Sequence, residues 1–115
     1  MDGISLLLDS GVVLLKLEPT DTTLADGATL TVTHPVHRVQ GDGGAATLDG
    51  TTAIADGTTD GQKLILFGVS DVNTVTIEDA ANTKLNGQVI LTDGDCIELY
   101  WDSTNSIWRE KGRNN

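Results

Sequence analysis

Apolar and polar residues alternate with a period of two along much of the chain, most regularly between Gly61 and Glu110. Leu64/Leu66, Val75/Ile77, Val89/Leu91 and Ile97/Leu99/Trp101 recur there at every second position. That spacing sets one group of side chains on one face of a pleated strand. Each run is closed by Gly, Asn or Asp, residues that accept the backbone angles a reversal needs. The pattern predicts an all-β chain.

The same reading extends towards the N-terminus. Ile4 to Leu8 and Val12 to Leu17 are apolar runs separated by Asp9, Ser10 and Gly11. Gly11 followed by β-branched Val12 and Val13 favours two strands, or one extended arm, over a helix. A nearly continuous apolar run wants cover on both faces, so this arm either lies inside the fold or docks on a neighbouring subunit. Glu18 to Asp26 reads as a polar connector, and Ala28 to Thr33 as a strand with Leu30 and Val32 inward. His34-Pro35 marks a bend, a bulge or an edge position, because Pro35 has no N–H for a ladder. Val36 to Gln40 resumes extended, and Gly41 to Gly50 is a loop holding a short strand around Ala46 to Leu48.

An apolar residue followed closely by Asp-Gly recurs at Leu24 to Gly27, Leu48 to Gly50, Ile54 to Gly57 and Leu91 to Gly94. Asp-Gly is a strong hairpin signal, and the uneven spacing excludes a solenoid repeat. The expected architecture is a jelly-roll-like sandwich or barrel of about eight short strands. Residues 1–17 form its N-terminal extended arm or first strands, and 18–115 form a single β domain. In the last hairpin a four-residue loop Asp102 to Asn105 would set Trp101 against Ser106, Leu99 against Trp108 and Glu98 against Arg109. Leu64, Leu66, Ile77, Ile97, Leu99, Trp101 and Trp108 are then the expected core anchors. The closing KGRNN reads as a frayed polar end.

Composition narrows the function. Seventeen acidic against seven basic residues give a net charge of −10. A surface of that sign repels phosphate backbones and anionic lipid, so neither nucleic acid nor membrane is an expected partner. Aromatic residues make up 3% of the chain, which leaves a light aliphatic core of the kind that gains burial by oligomerising. Cys96 is the only cysteine and cannot form an internal disulfide; its place before Tyr100 reads as a small buried hydrophobe. The N-terminus lacks a basic n-region, which predicts a protein made in the cytosol without an export signal.

No constellation of residues carries chemistry. His34 and His37 have the spacing H-x-x-H, but on a strand an odd spacing puts them on opposite faces, and Pro35 opposes a helix. They are expected as surface or edge histidines. Asp56 to Asp60 and Asp93 to Asp95 lack the ligand pattern of a calcium loop. Gly68-Val-Ser-Asp71 lacks the two flanking glycines of a nucleophile elbow. No catalytic residue, metal or cofactor is expected, and Trp101 with Trp108 fits a core better than a sugar-stacking platform.

The text from Gly61 onward resembles tailed-bacteriophage virion proteins. The resemblance rests on Gly61 with Leu64, Leu66 and Gly68; Asn73 to Ile77 with Asp79; Leu85-Asn-Gly87; Leu91 with Gly94-Asp95; and Leu99-Tyr-Trp101 leading to Trp108-Arg-Glu110. It implies a structural protein, often trimeric, of the kind found in tail fibres, tailspike head-binding regions and small head-decoration proteins. A chain running from Met1 to Asn115 without stalk repeats or heptads suits a decoration (cement) protein best. The expectation is a homotrimer, made in the host cytoplasm, that binds the major capsid protein on the outside of the head and stabilises capsomer contacts through Leu6, Leu7, Leu8, Val12 and Val13. The alternative is a tail-fibre or receptor-binding module that recognises host glycan.

Overall fold

The computed structural model describes the main chain of residues 4–9 and 12–16, and main chain and side chains of 17–50 and 52–115. Among the described residues all regular structure is β. The strands are β1 (Ile4–Asp9), β2 (Val12–Leu17), β3 (Pro19–Leu24), β4 (Val36–Gly41), β5 (Ala46–Leu48), β6 (Lys63–Gly68), β7 (Val75–Ile77), β8 (Thr83–Lys84), β9 (Val89–Leu91), β10 (Cys96–Asp102) and β11 (Ile107–Asn114). β1 and β2 pair with each other as an antiparallel ribbon, so the apolar N-terminus is a hairpin rather than a single arm. The other nine strands form a sandwich of two sheets, one in the order β3-β4-β6-β10-β11-β8 and one in the order β5-β7-β9.

The sandwich core lies between the sheets. Val39, Leu64, Leu66, Ile97, Leu99, Trp101 and Trp108 enter it from the six-stranded sheet, and Leu48, Val75, Ile77, Val89 and Leu91 from the three-stranded one. Leu30 and Ile54, joined by an isolated bridge, are buried in the same cluster. The seven residues read as core anchors from the sequence are all in this set.

Several sequence expectations change at the level of pairing. The supposed connector after Glu18 contains β3, an edge strand parallel to β4. Its threonines suit a strand, and Pro19 stands at its first residue, where a missing donor is tolerated. The supposed strand from Ala28 to Thr33 makes only the bridge Leu30–Ile54. None of the four Asp-Gly pairs closes a hairpin among the described residues. β3/β4, β4/β6, β5/β7 and β8/β11 are parallel, and the Asp93-Gly94 corner carries the chain from one sheet to the other. Asp-Gly fixes a local turn but not which strands pair across it. Gly27 and Gly94 do hold positive φ, at 79° and 89°. Gly57 is needed for another reason: a Cβ there would overlap the Trp101 indole.

The β10–β11 hairpin is displaced from its expected register. Trp101 faces Trp108, Leu99 faces Glu110 and Tyr100 faces Arg109, so each β10 residue meets a partner at least two positions later. The cause is Asp102, which stays in the strand opposite Ile107 and turns its carboxylate onto the loop. It accepts from the Thr104 and Asn105 N–H groups at 3.1 and 3.3 Å and from the Asn105 side chain at 2.8 Å. A shift of two keeps every residue on its face, so both tryptophans still point inward, with ring centroids 5.3 Å apart. Glu98 does not pair with Arg109. It meets Lys63 at 3.0 Å, while Arg109 meets Asp102 at 2.8 Å.

Candidate interaction surfaces

A β-bulge between Glu98 and Leu99 adds one residue to β11 and shapes the C-terminal end. Residues three apart on a regular strand lie on opposite faces. Because the bulge absorbs one position, Glu110 and Arg113 share the inward side, opposite Leu99 and Ile97. Arg113 grips Glu110 through Nε at 2.9 Å and Nη2 at 2.7 Å. It also donates to the carbonyls of Asn86, Gly87 and Gln88 at 3.2, 2.8 and 3.0 Å. The C-terminus is therefore a latch on the loop 86–88 rather than a frayed end.

His37 is 1% exposed and is not the surface histidine that its spacing suggested. Its Nε2 accepts the main-chain N–H groups of Thr33 (3.2 Å) and His34 (3.3 Å), and Nδ1 meets the Thr22 hydroxyl at 2.8 Å. An Nε2 that accepts two N–H donors carries no proton, which assigns the neutral ring with hydrogen on Nδ1. Burial, then the neighbouring His34, pushes its pKa below the usual histidine value. Asn82, also buried, joins the segment 53–54 to the sandwich: its Oδ1 accepts from the Ala53 N–H at 3.3 Å and its Nδ2 donates to the Ile54 carbonyl. Neither role has a sequence signature, since a lone buried His or Asn looks like any polar residue between strands.

The other residues singled out from the sequence serve turns or the core. Ser70 Oγ accepts from the N–H groups of Val72 and Asn73, a local turn and not a nucleophile site. Asp95 caps Thr92 through its N–H and hydroxyl, at 2.9 and 2.8 Å, and Asp60 accepts from the Ser103 N–H at 3.0 Å. Among the described residues no group of three or more His, Cys, Asp or Glu side chains could hold a metal ion. Trp101 and Trp108 are 5% and 0% exposed, so neither offers a face to a sugar. Cys96 is only half-buried, because it alternates outward from Ile97.

The N-terminal contact residues Leu6, Leu7, Leu8, Val12 and Val13 lie in β1 and β2, and their side chains fall outside the described residues. The main-chain register sets positions 4, 6 and 8 opposite 17, 15 and 13, which places Ile4, Leu6, Leu8, Val13, Leu15 and Leu17 on one face of the ribbon. Leu7 and Val12 share the other face with Ser5, Asp9, Leu14 and Lys16.

Two open clefts flank β3 and β4. One of about 550 Å³ is bordered by Leu17, Val32, His34, Pro35, Asp56 and Lys63. The other, about 440 Å³, is lined by threonines of β3 and of the 28–33 segment and by His37.

The outer face of the six-stranded sheet is a surface the sequence reading missed. Alternation from the buried positions places Arg38, Lys63, Arg109 and Lys84 outward, and Lys111, the bulge residue, lies over the Tyr100 ring at 5.8 Å. Five of the chain's seven basic residues thus share one face, against three outward strand acids, Asp21, Glu98 and Asp102. Phe67, 38% exposed, lies between Arg38 and Cys96 in neighbouring strands. The signal in the sequence was a set of basic residues at polar strand positions, but only the pairing shows that they converge.

The fold and this surface define a small β-sandwich with basic residues gathered on one outer face. Residues 36–109, from the start of β4 into β11, match the phage depolymerase C-terminal beta sandwich domain, and the chain belongs to that family. It is accordingly a bacteriophage structural, virion-associated protein. No curated protein matches the chain. Among solved structures, a chain from the structure of a chaperone-substrate complex aligns over 95% of this chain at 17% identity with a TM-score of 0.53, a likeness of fold. The chain spans 19% of that longer protein.

Proposed function

We propose that this chain is the receptor-facing sandwich of a phage tail spike or fibre assembly, and that it holds host-surface glycan rather than cleaving it. The observation that supports this reading is the extent of the family match. It runs over eight of the nine sandwich strands, so the part shared with depolymerase C-terminal domains is the scaffold itself. A depolymerase works on a polymer, and a sandwich carried beside such an activity serves it by keeping the polymer close. Assembly as a homotrimer adds avidity, because three weak footprints on one rigid body dissociate far more slowly than one.

A second reading, a trimeric decoration protein clamping capsomers on the outside of the head, draws support from the hairpin. Six apolar positions share one face of a two-stranded ribbon, and a ribbon alone is marginally stable in water. Mixing the purified protein with host cell envelopes and with heads that lack it separates the two. The tail reading expects sedimentation with envelopes, lost after the envelopes are stripped of glycan. Sedimentation with heads alone would replace it by the decoration reading.

A further inference from the structure

We infer that the outer face of the six-stranded sheet is a binding surface for an acidic polysaccharide, a refinement that rests on the glycan-holding reading above. The chain as a whole carries −10, yet the outward positions of β3, β4, β6, β8, β10 and β11 hold five cations and three anions. The remaining basic residues are Lys16 in the hairpin and Arg113, which is committed to Glu110. Charge is therefore segregated, with a positive face on an otherwise acidic body.

Of the three ion pairs on this face, Arg38–Asp21 leaves the acid the more exposed partner, 85% against 45%, and the other two leave the cation so. In Lys63–Glu98 and Arg109–Asp102 the basic side chains are 41% and 52% exposed, against 28% and 20% for the acids. Lys84 and Lys111 are exposed and in no ion pair among the described residues. Between these charges lie Phe67, Ile65 and Tyr100, apolar or aromatic surface suited to the flat side of a sugar ring. The cations span β4 to β8, five adjacent strands, or roughly 19 Å at the usual strand spacing. An extended chain with scattered carboxylates and neutral rings fits that mixture.

The net charge of −10 does not cancel the local attraction, because fields from charges beyond about 8 Å are screened at physiological salt. It does select against a denser polyanion. DNA carries a charge about every 1.7 Å along the duplex and meets the acidic remainder of the domain wherever it overhangs the face.

The test uses the full chain, with binding measured by calorimetry against a polyuronate, a polysialate, neutral dextran and duplex DNA. At least one of the acidic polysaccharides should bind, neutral dextran and DNA should not, and affinity should fall as salt rises. The variant Lys84→Glu/Lys111→Glu should keep the β circular-dichroism spectrum and lose about tenfold or more in affinity. Unchanged affinity in that variant, binding of DNA as tight as of polysaccharide, or silence from every acidic probe would overturn the inference. So would a concentration-dependent dimer that the variant abolishes, since the face would then meet the acidic side of a second copy. Binding of neutral dextran alone would sink this inference and leave the glycan-holding reading standing. Failure to sediment with host envelopes would remove that reading independently.

Discussion

Replacing Arg113 with methionine should destabilise the domain strongly at neutral pH and weakly in acid. The Glu110 side chain is 7% exposed, and besides Arg113 it accepts only the Asn86 N–H, at 2.8 Å, among the described residues. Without the guanidinium its carboxylate has two options. It can stay charged, which for a stranded member of a buried pair costs about 3–5 kcal/mol. Or it can take a proton, which for a carboxyl of ordinary pKa 4.5 costs about 3 kcal/mol at pH 7. The cheaper route costs ~3 kcal/mol at pH 7 and adds to the lost carbonyl bonds, for a total of ~4 kcal/mol, with methionine retaining much of the stem packing. Near pH 4.5 the protonation cost vanishes, and what remains is the lost bonds to the carbonyls of Asn86, Gly87 and Gln88, ~1 kcal/mol, with the part of the ion pair that persists until pH falls through the folded value.

The sign follows from linkage. Hydrogen bonding from Arg113 holds Glu110 below the usual carboxylate range in the folded protein. The pair's contribution is thus fully present above the unfolded value and is lost as pH falls through the lower folded one. Urea unfolding followed by tryptophan fluorescence, at pH 7 and pH 4.5, gives the two differences directly. Equal destabilisation at both pH values would refute an electrostatic latch and leave a packing role. Adding Glu110→Gln to Arg113→Met should recover part of the stability at pH 7, because the amide carries no charge to strand.

Other perturbations have equally definite outcomes. His37 has a folded pKa below its unfolded value, so the neutral ring stabilises fully above about pH 6.5 and that contribution falls as pH drops towards the folded value; His37→Gln should flatten the urea midpoint between pH 7.5 and 5.5, and an unchanged slope would rule the residue out. Gly57→Ala should cost roughly 1–3 kcal/mol by overpacking, read as a lower thermal midpoint with altered tryptophan emission, because its methyl would collide with Trp101. Trp108→Phe should lose at least about 1–3 kcal/mol in urea unfolding, since the Ala55 carbonyl that now accepts from indole Nε1 at 2.9 Å loses its donor.

Which of these features could be read from the sequence depends on the range over which each is determined. Facing is local: a period of two fixes the inward set of a strand whatever its partner, and Leu64, Leu66, Ile97, Leu99 and Trp101 are all buried. Pairing is not local. β3 was hidden because Pro19 and three threonines look like a connector until β4 lies alongside. The last hairpin slipped by two because Asp102 binds the loop with its side chain while its backbone remains in the ladder. The Glu110–Arg113 latch was invisible because it requires the bulge. Even spacing puts strand residues on one face, and only an inserted residue gives an i to i+3 pair the same facing.

The same distinction explains why the net charge says little about any one surface. A count of −10 averages over the whole body, whereas a bound polymer responds to the charges within a Debye length of its path. Arg38, Lys63 and Arg109 come from three strands far apart in sequence, and Lys84 reaches the same face only because two residues of β8 pair in parallel with β11. Residues on the inner face are constrained by the sandwich core, so their composition reports on folding. Outward positions are constrained far less: Arg38, Lys63 and Arg109 sit in exposed cross-strand pairs worth little to stability, and Lys84 and Lys111 sit in none among the described residues. That makes the face, rather than the overall acidity, the feature whose removal should change what the domain binds without changing whether it folds.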